Sequence, residues 1–388
     1  MEISACVKYV GVNDHQVDLF EGQYKVPNGM SYNSYVILDD KIAIMDTVDG
    51  FFTEEWLNNV EQVLDGKMPG YLVIQHMEPD HSASIPAFLK KYPKVTVVST
   101  AKGFQFMEQF FPEFFAGQGL PAEQRIVAAN DGVLELGQHS LHFVYAPMVH
   151  WPEVMMTYEA TEKILFAADG FGKFGALDAE EEWADEARRY YIGIVGKYGP
   201  QVQAVLKKAA GLDIQTICSL HGPVLKENLG FYLEKYDRWS SYQPEESGVV
   251  IAYASVYGNT RNAAEYLADV LQEKGQKTVL YDLARCDKAK AVADAFRYDR
   301  LVLAGITYNG DLFPCMRSFI EGLTERNYQN RKVAIIENGT WAPMAGKLIL
   351  GMFEKSKNLT FTETTVSIKS AMNAQNKDEI GKLAEELC

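Results

Sequence analysis

The chain has 388 residues, 47% of them apolar and 23% charged, and a net charge of −15. That length exceeds what one ordinary core organises, so two domains are expected. The acidic balance argues against nucleic acid or an anionic membrane as partner, since both need a basic footprint.

In chain order, residues 35–38 and 42–46 read as a hairpin turning on Asp39, Asp40 and Lys41. Strand patterns follow at 71–75, 95–99, 141–146, 164–167 and 214–219, separated by longer helical or loop segments, which makes this a mixed α/β region. Residues 240–248 are polar and contain Pro and Gly, the composition of a linker. Beyond them strands are expected at 249–254, 278–283, 301–305, 333–336 and 360–368, with helices at 262–274 and 316–323 among the crossovers. Apolar strand runs alternating with helices indicate a doubly wound parallel sheet of five strands. The expected domains are therefore 1–247 and 248–388.

No apolar run approaches the roughly 18 residues that cross a bilayer. Residues 1–6 lack the basic and apolar regions of a secretory signal, so the cytoplasm is the expected location. The five cysteines (Cys6, Cys218, Cys286, Cys315, Cys388) are widely spaced and form no C-x-x-C pair. They are expected to be reduced and mostly buried.

Four of the seven histidines, with three acids, fall just past strand ends: His76, Glu78, Asp80 and His81, then His150, Asp169 and His221. Ligands at the carboxyl edge of a sheet can converge on one crevice. His76, Glu78 and Asp80 are expected to alternate along an extended loop, with His81 completing a second centre. Seven ligands are too many for one tetrahedral ion and suit two metals sharing a bridging carboxylate. The plain alternative, histidines used for capping and surface hydrogen bonds, is adopted for His15, His139 and His142. His142 alternates with Leu141 and Phe143 and is expected to face solvent.

A second constellation follows the strand at 249–254. Ser255, Val256, Tyr257, Gly258, Asn259 and Thr260 lead into a helix, where hydroxyls and backbone N–H groups can hold a phosphate dianion. Neither G-x-x-x-x-G-K-[ST] nor G-x-G-x-x-G is present. Two later strand ends add Thr307, Tyr308, Asn309 and Gly310, and Asn338, Gly339, Thr340 and Trp341. Loops so placed flank an isoalloxazine ring in a flavodoxin-like sheet, with Tyr308 and Trp341 as stacking candidates.

The first region resembles the metallo-β-lactamase fold, whose hydrolases carry H-x-H-x-D-H, but here Glu78 replaces the middle histidine. An extra hard carboxylate shifts preference from zinc towards iron. With the flavodoxin-like region behind it, the whole chain resembles the flavodiiron proteins. Further support comes from residues 29–35, from His150-Trp151-Pro152-Glu153 and Asp169-Gly170-Phe171-Gly172, and from Ser219-Leu220-His221-Gly222-Pro223.

The resemblance implies an N-terminal metallo-β-lactamase-like αββα domain and a flavodoxin-like domain, with FMN and two non-haem irons. His76, Glu78 and His150 would hold one iron; Asp80, His81 and His221 would hold the other. Asp169 would bridge them, and Asp169, Glu78 and His81 are the candidate catalytic members. The family departs from this chain at Asn338, Thr340 and Ile306, which bears on individual flavin contacts. The implied activity is reduction of dioxygen to water, of nitric oxide to nitrous oxide, or both. An external donor, rubredoxin foremost, would supply electrons, and a head-to-tail homodimer or a tetramer is the implied assembly. A zinc hydrolase, or a flavin electron carrier or sensor with a structural metal domain, are the competing readings.

Overall fold

Strands Val7–Tyr9, Tyr35–Ile37, Ile42–Met45, Pro69–Val73, Thr96–Ser99 and Arg125–Val127 form one six-stranded sheet in that order. A second, five-stranded sheet takes Val133–Glu135, Ser140–Tyr145, Met155–Glu159, Ile164–Phe166 and Thr216–Cys218. One face of each sheet is apolar, and the two faces close on a shared core. Tyr35, Ile37, Met45 and Val73 from the first sheet meet Leu141, Phe143, Met155 and Phe166 from the second. The expected hairpin pairs Tyr35 with Met45 and Ile37 with Ala43. Helices Thr53–Leu64 and Ile85–Lys91 bury Trp56 against Phe88, ring centroids 5.5 Å apart. This computed structural model describes residues 2–115 and 120–388.

The remaining sheet is built on Glu246–Tyr253, Thr278–Asp282, Tyr298–Tyr308, Arg331–Asn338 and Leu359–Ile368. Its order is second, first, third, fourth, fifth, and every pair in that path is parallel. That is the doubly wound arrangement expected, with a switch point between its first and third strands. Helices Asn259–Glu273 and Ala374–Leu387 bury Leu267, Leu271, Ile380 and Leu383 in the core cluster that contains Ile251, Val302 and Ile336.

The chain divides into Met1–Tyr190 with Pro200–Tyr236, and Tyr191–Gly199 with Asp237–Cys388. Both units are discontinuous, and residues 237–247 group with the second one. Hydrogen bonding gives the reason. The Arg331 guanidinium, 3% exposed, donates to the carbonyls of Tyr242 and Tyr298 at 2.7 Å and of Gln329 at 2.9 Å, and also to that of Phe296. The Trp239 indole donates to Glu245 at 2.7 Å. Arg331→Met should destabilise this unit by about 3 kcal/mol, because several buried carbonyls lose a charged donor. Urea unfolding followed by flavin release would check it, and an unchanged midpoint would contradict it.

Among the described residues no helix is long and apolar enough to cross a membrane. All five cysteines are free, but only Cys218 is buried, so the expectation of mostly buried thiols fails.

Candidate metal centre

The seven expected ligands converge at one end of the sandwich. His76 follows strand Pro69–Val73, His150 follows Ser140–Tyr145, Asp169 follows Ile164–Phe166 and His221 follows Thr216–Cys218. The stretch from Glu78 to His81 is not the extended loop expected. Pro79 starts a helical turn, Pro79–Ser82, because proline suits the first helical position, and that turn carries Asp80 and His81 together. Ala168, just before Asp169, takes φ 48°, a left-handed conformation that costs a non-glycine residue energy and recurs at functional sites. Gly222, at φ 77°, would place a Cβ 2.9 Å from Lys173 Cγ. The residue after His221 must therefore be glycine.

Two clusters result. His76, Glu78, His150 and Asp169 offer ligand atoms within 4.8 Å of one another, and Asp80, His81 and His221 do the same. Glu78 Oε2 lies 3.0 Å from His150 Nε2 and 3.3 Å from His76 Nε2. Asp169 Oδ2 lies 3.1 Å and 3.3 Å from the same two nitrogens. Its other oxygen, Oδ1, turns to the second cluster, 3.3 Å from His81 Nε2 and 3.9 Å from His221 Nε2. Asp80 Oδ2 stands 3.3 Å from each of those imidazoles. Donor atoms about 2.1 Å from one ion and at right angles to it stand about 3.0 Å apart, so the spacing suits a metal in each cluster.

The orphaned atoms point the same way. Both oxygens of Asp80 and of Asp169 are buried without a hydrogen-bond partner. His221 Nδ1 faces the Ser31 carbonyl at 2.7 Å, and His76 Nδ1 faces Glu153 Oε1 at 2.7 Å. Those partners accept, so each Nδ1 carries a hydrogen and each Nε2 is the nitrogen turned inward. His81 and His221 bring Nε2 to Nε2 at 3.1 Å, so both ring nitrogens face one point.

Burial alone would drive these imidazoles neutral and these carboxyls to the acid form. Mutual pairing outweighs it. His150 is pushed up to about 9 by Asp169 and Glu78 against its desolvation, and His76 and His221 are also raised. Likewise Glu78 and Asp169 are held below the usual carboxylate range by their histidines, despite their burial. The carboxylates thus stay ionised, the form that binds metal.

Sequence reasoning missed the supporting shell. Glu153, 2% exposed, holds His76 and accepts the Met77 N–H at 2.9 Å. Asp46, fully buried, accepts from Gln75 N–H at 2.7 Å and from the Gln75 side chain at 2.8 Å. Tyr190 packs its ring 5.4 Å from His221, and burial with the nearby Asp169, Glu78 and Asp80 charges keeps its hydroxyl protonated. A Glu three residues past His150 was the one visible signal for Glu153. Of the excluded histidines, His15 is exposed beside Asp178 at 3.1 Å and His142 is half-buried beside Ser140 Oγ at 3.2 Å. His139 is 5% exposed, hence not a surface residue.

The second constellation also assembles. A cleft of about 530 Å³ at the carboxyl edge of the parallel sheet is lined by every expected position except Gly258. Gly258, at φ 92°, turns the chain into helix Asn259–Glu273, whose start has no side-chain cap and so leaves N–H groups for an anion. Ser255 Oγ accepts the Gly258 N–H at 3.1 Å, and Thr260 is buried. Asn309 and Gly310 (φ 51° and 72°) form a tight hairpin that pairs Tyr308 with Asp311. Asn338 has its amide engaged with Ser370, at 2.9 Å and 3.0 Å, so it anchors a neighbouring loop. Ile306, already singled out as bearing on flavin contacts, completes the lining with Ala342, Met344 and Ser370, which were not expected. Tyr257 and Trp341, 93% and 90% exposed, stand as large aromatic faces with little to cover them.

Comparison with known proteins finds a match for each of the two regions. Residues 30–222 match the ODP family beta lactamase model and residues 250–358 a flavodoxin domain. An anaerobic nitric oxide reductase flavorubredoxin of Vibrio vulnificus is 27% identical over 385 residues, 96% of this chain and 75% of the relative. Diflavin flavoprotein A 1 of Synechocystis is 33% identical over 282 residues, 71% of this chain and 48% of the relative. The crystal structure of the flavodiiron protein from Giardia intestinalis superposes with a TM-score of 0.91 at 25% identity, covering 100% of this chain and 96% of that one.

Proposed function

The chain belongs to the flavodiiron protein family, and from that premise we propose that it is an oxidoreductase that reduces nitric oxide to nitrous oxide, dioxygen to water, or both. Its cofactors are FMN and a non-haem diiron pair, which together accept a donor's electrons and reduce a small diatomic molecule. His76, Glu78 and His150 hold one iron, Asp80, His81 and His221 the other, and Asp169 lies between. The observation that carries this reading is the Asp169 carboxylate, whose two oxygens face two different clusters. Glu78 speaks against a zinc hydrolase, because it supplies a hard oxygen where such enzymes use an imidazole.

Protein groups orient and insulate the chemistry. Glu153 and the Ser31 carbonyl fix the tautomers of His76 and His221. Tyr190 keeps a proton close to the carboxylates. Trp151 sets its ring edge-to-face on that of His76, centroids 5.3 Å apart. The cleft at the parallel sheet would take FMN, with the start of helix Asn259–Glu273 available to hold a phosphate and Tyr308 and Trp341 available to stack on a flavin. We further propose a cytoplasmic head-to-tail homodimer, in which each FMN serves the partner's iron pair, fed by rubredoxin.

Amperometric assay of iron- and FMN-loaded protein with one reduced donor, each gas offered in turn, tests the function. Consumption of at least one gas is expected, and inertness towards both overturns the reading. Trp341→Ala should weaken FMN binding by up to about tenfold, the worth of an aromatic stacking contact, and leave iron content unchanged. Fluorescence titration with FMN and metal analysis would show whether the two cofactors separate in this way.

A further inference from the structure

We propose that Cys6, His139 and Glu162 form a further metal site that takes a divalent ion of the zinc class. Their sulfur, imidazole nitrogen and carboxylate oxygen lie within 4.8 Å of one another. Cys6 precedes strand Val7–Tyr9, His139 precedes Ser140–Tyr145, and Glu162 precedes Ile164–Phe166. The candidate iron ligands follow the last two of those strands, so this cluster occupies the opposite end of the same sandwich.

The donor set is one that zinc favours: thiolate, imidazole and carboxylate. Zinc bonds of 2.0–2.3 Å at tetrahedral angles put ligands about 3.3–3.8 Å apart. Rotations of about 1 Å at the half-buried Cys6 and Glu162 therefore close the set around His139. A fourth position is left for water.

The surroundings are built as for a metal-bound histidine. His139 Nδ1 faces Asp39 Oδ2 at 2.9 Å, and the same oxygen accepts the His139 backbone N–H at 2.7 Å. This carboxylate fixes the ring and directs Nε2 towards Glu162 Oε1, 3.6 Å away. Glu162 Oε2 is buried and has no hydrogen-bond partner. Backbone contacts hold all three corners. The Glu162 N–H donates to Glu159 Oε2 at 2.6 Å, and the Cys6 carbonyl accepts from Leu38 N–H at 2.9 Å. Gly137, at φ 145°, lets its turn close on Asp39, where a Cβ would fall 2.6 Å from Asp39 Oδ1.

Binding is a displacement of protons without redox change. The Cys6 S–H proton, and the Nε2 proton of any charged His139, pass to water as metal–sulfur and metal–nitrogen bonds form. Affinity should fall as the pH is lowered, because the thiol and the imidazole must give up protons to bind. The bound ion would tie the first strand of one sheet to two turns of the other.

Co²⁺ added to iron- and FMN-loaded protein should give a thiolate-to-cobalt charge-transfer band that saturates at one equivalent. Cys6→Ser should abolish the band, Glu162→Gln should weaken Co²⁺ binding, and Asp39→Asn should weaken it about 10–100-fold. Where Cys6→Ser disturbs the first strand, read as lost FMN or iron, Glu162→Gln decides. No band in the parent protein, the same band in Cys6→Ser, or unchanged affinity in Glu162→Gln overturns the proposal. Asp169→Asn should keep the band whatever becomes of gas reduction, so this site and the proposed function fail separately.

Discussion

Purified Asp169→Asn protein should keep its FMN and lose gas reduction by more than about 100-fold. Removing a second-shell partner of a metal ligand already costs 10–100-fold, and Asp169 touches both clusters directly. The substitution is close to isosteric, so packing is preserved and the loss is chemical. It deletes the negative charge that faces His76, His81, His150 and His221. It also puts an amide N–H₂ where imidazole lone pairs point inward. Iron content, the flavin spectrum and turnover with each gas, measured on one preparation, give the answer. Full turnover would remove Asp169 from the bridging position.

Glu153→Gln should lower iron affinity about 10–100-fold while leaving FMN occupancy untouched. Glu153 reaches no proposed metal position; it acts through His76, whose Nδ1 it accepts at 2.7 Å. Its second oxygen is buried with no partner, and the backbone carbonyl of the same residue accepts from Thr100 Oγ1 at 3.0 Å. A neutral amide can still accept the Nδ1 hydrogen, but it makes His76 a weaker base towards the ion. Competition with a chelator separates this from misfolding, since the flavin and the fold report independently. Iron retention equal to the parent's would show that His76 needs no carboxylate behind it.

How far these sites were legible depended on the range of the interaction. The ligands between His76 and His81 stand within six residues, and each of the others ends an apolar strand run, so strand-end position alone gathered them. The helical turn at Pro79 was readable from proline's preference for a first helical position, yet alternation suggested an extended loop. Glu153 gave only a sequence hint, because its function depends on facing a residue 77 positions away. Asp46 and Ser31 gave none. In the second unit apolar runs disclosed four of the five strands, and Asn309 and Gly310 line the cleft as expected, although nothing in their pattern announced the hairpin they form.

His139 shows the limit most clearly. As a lone histidine in a turn it matched a surface residue, and only folding placed Asp39, Glu162 and Cys6 around it. The division between units was hidden for the same reason, since Arg331 recruits Tyr242 across 89 positions. Local pattern, strand-end placement and residue chemistry therefore determined the doubly wound sheet and the seven candidate ligands from the sequence alone, whereas the topology of the first region came only through its resemblance to the metallo-β-lactamase fold. Tertiary structure decided which carboxylate serves two clusters, which partners orient the imidazoles and where the units part. Those outcomes depend on contacts between distant segments, for which periodicity and spacing carry no signal.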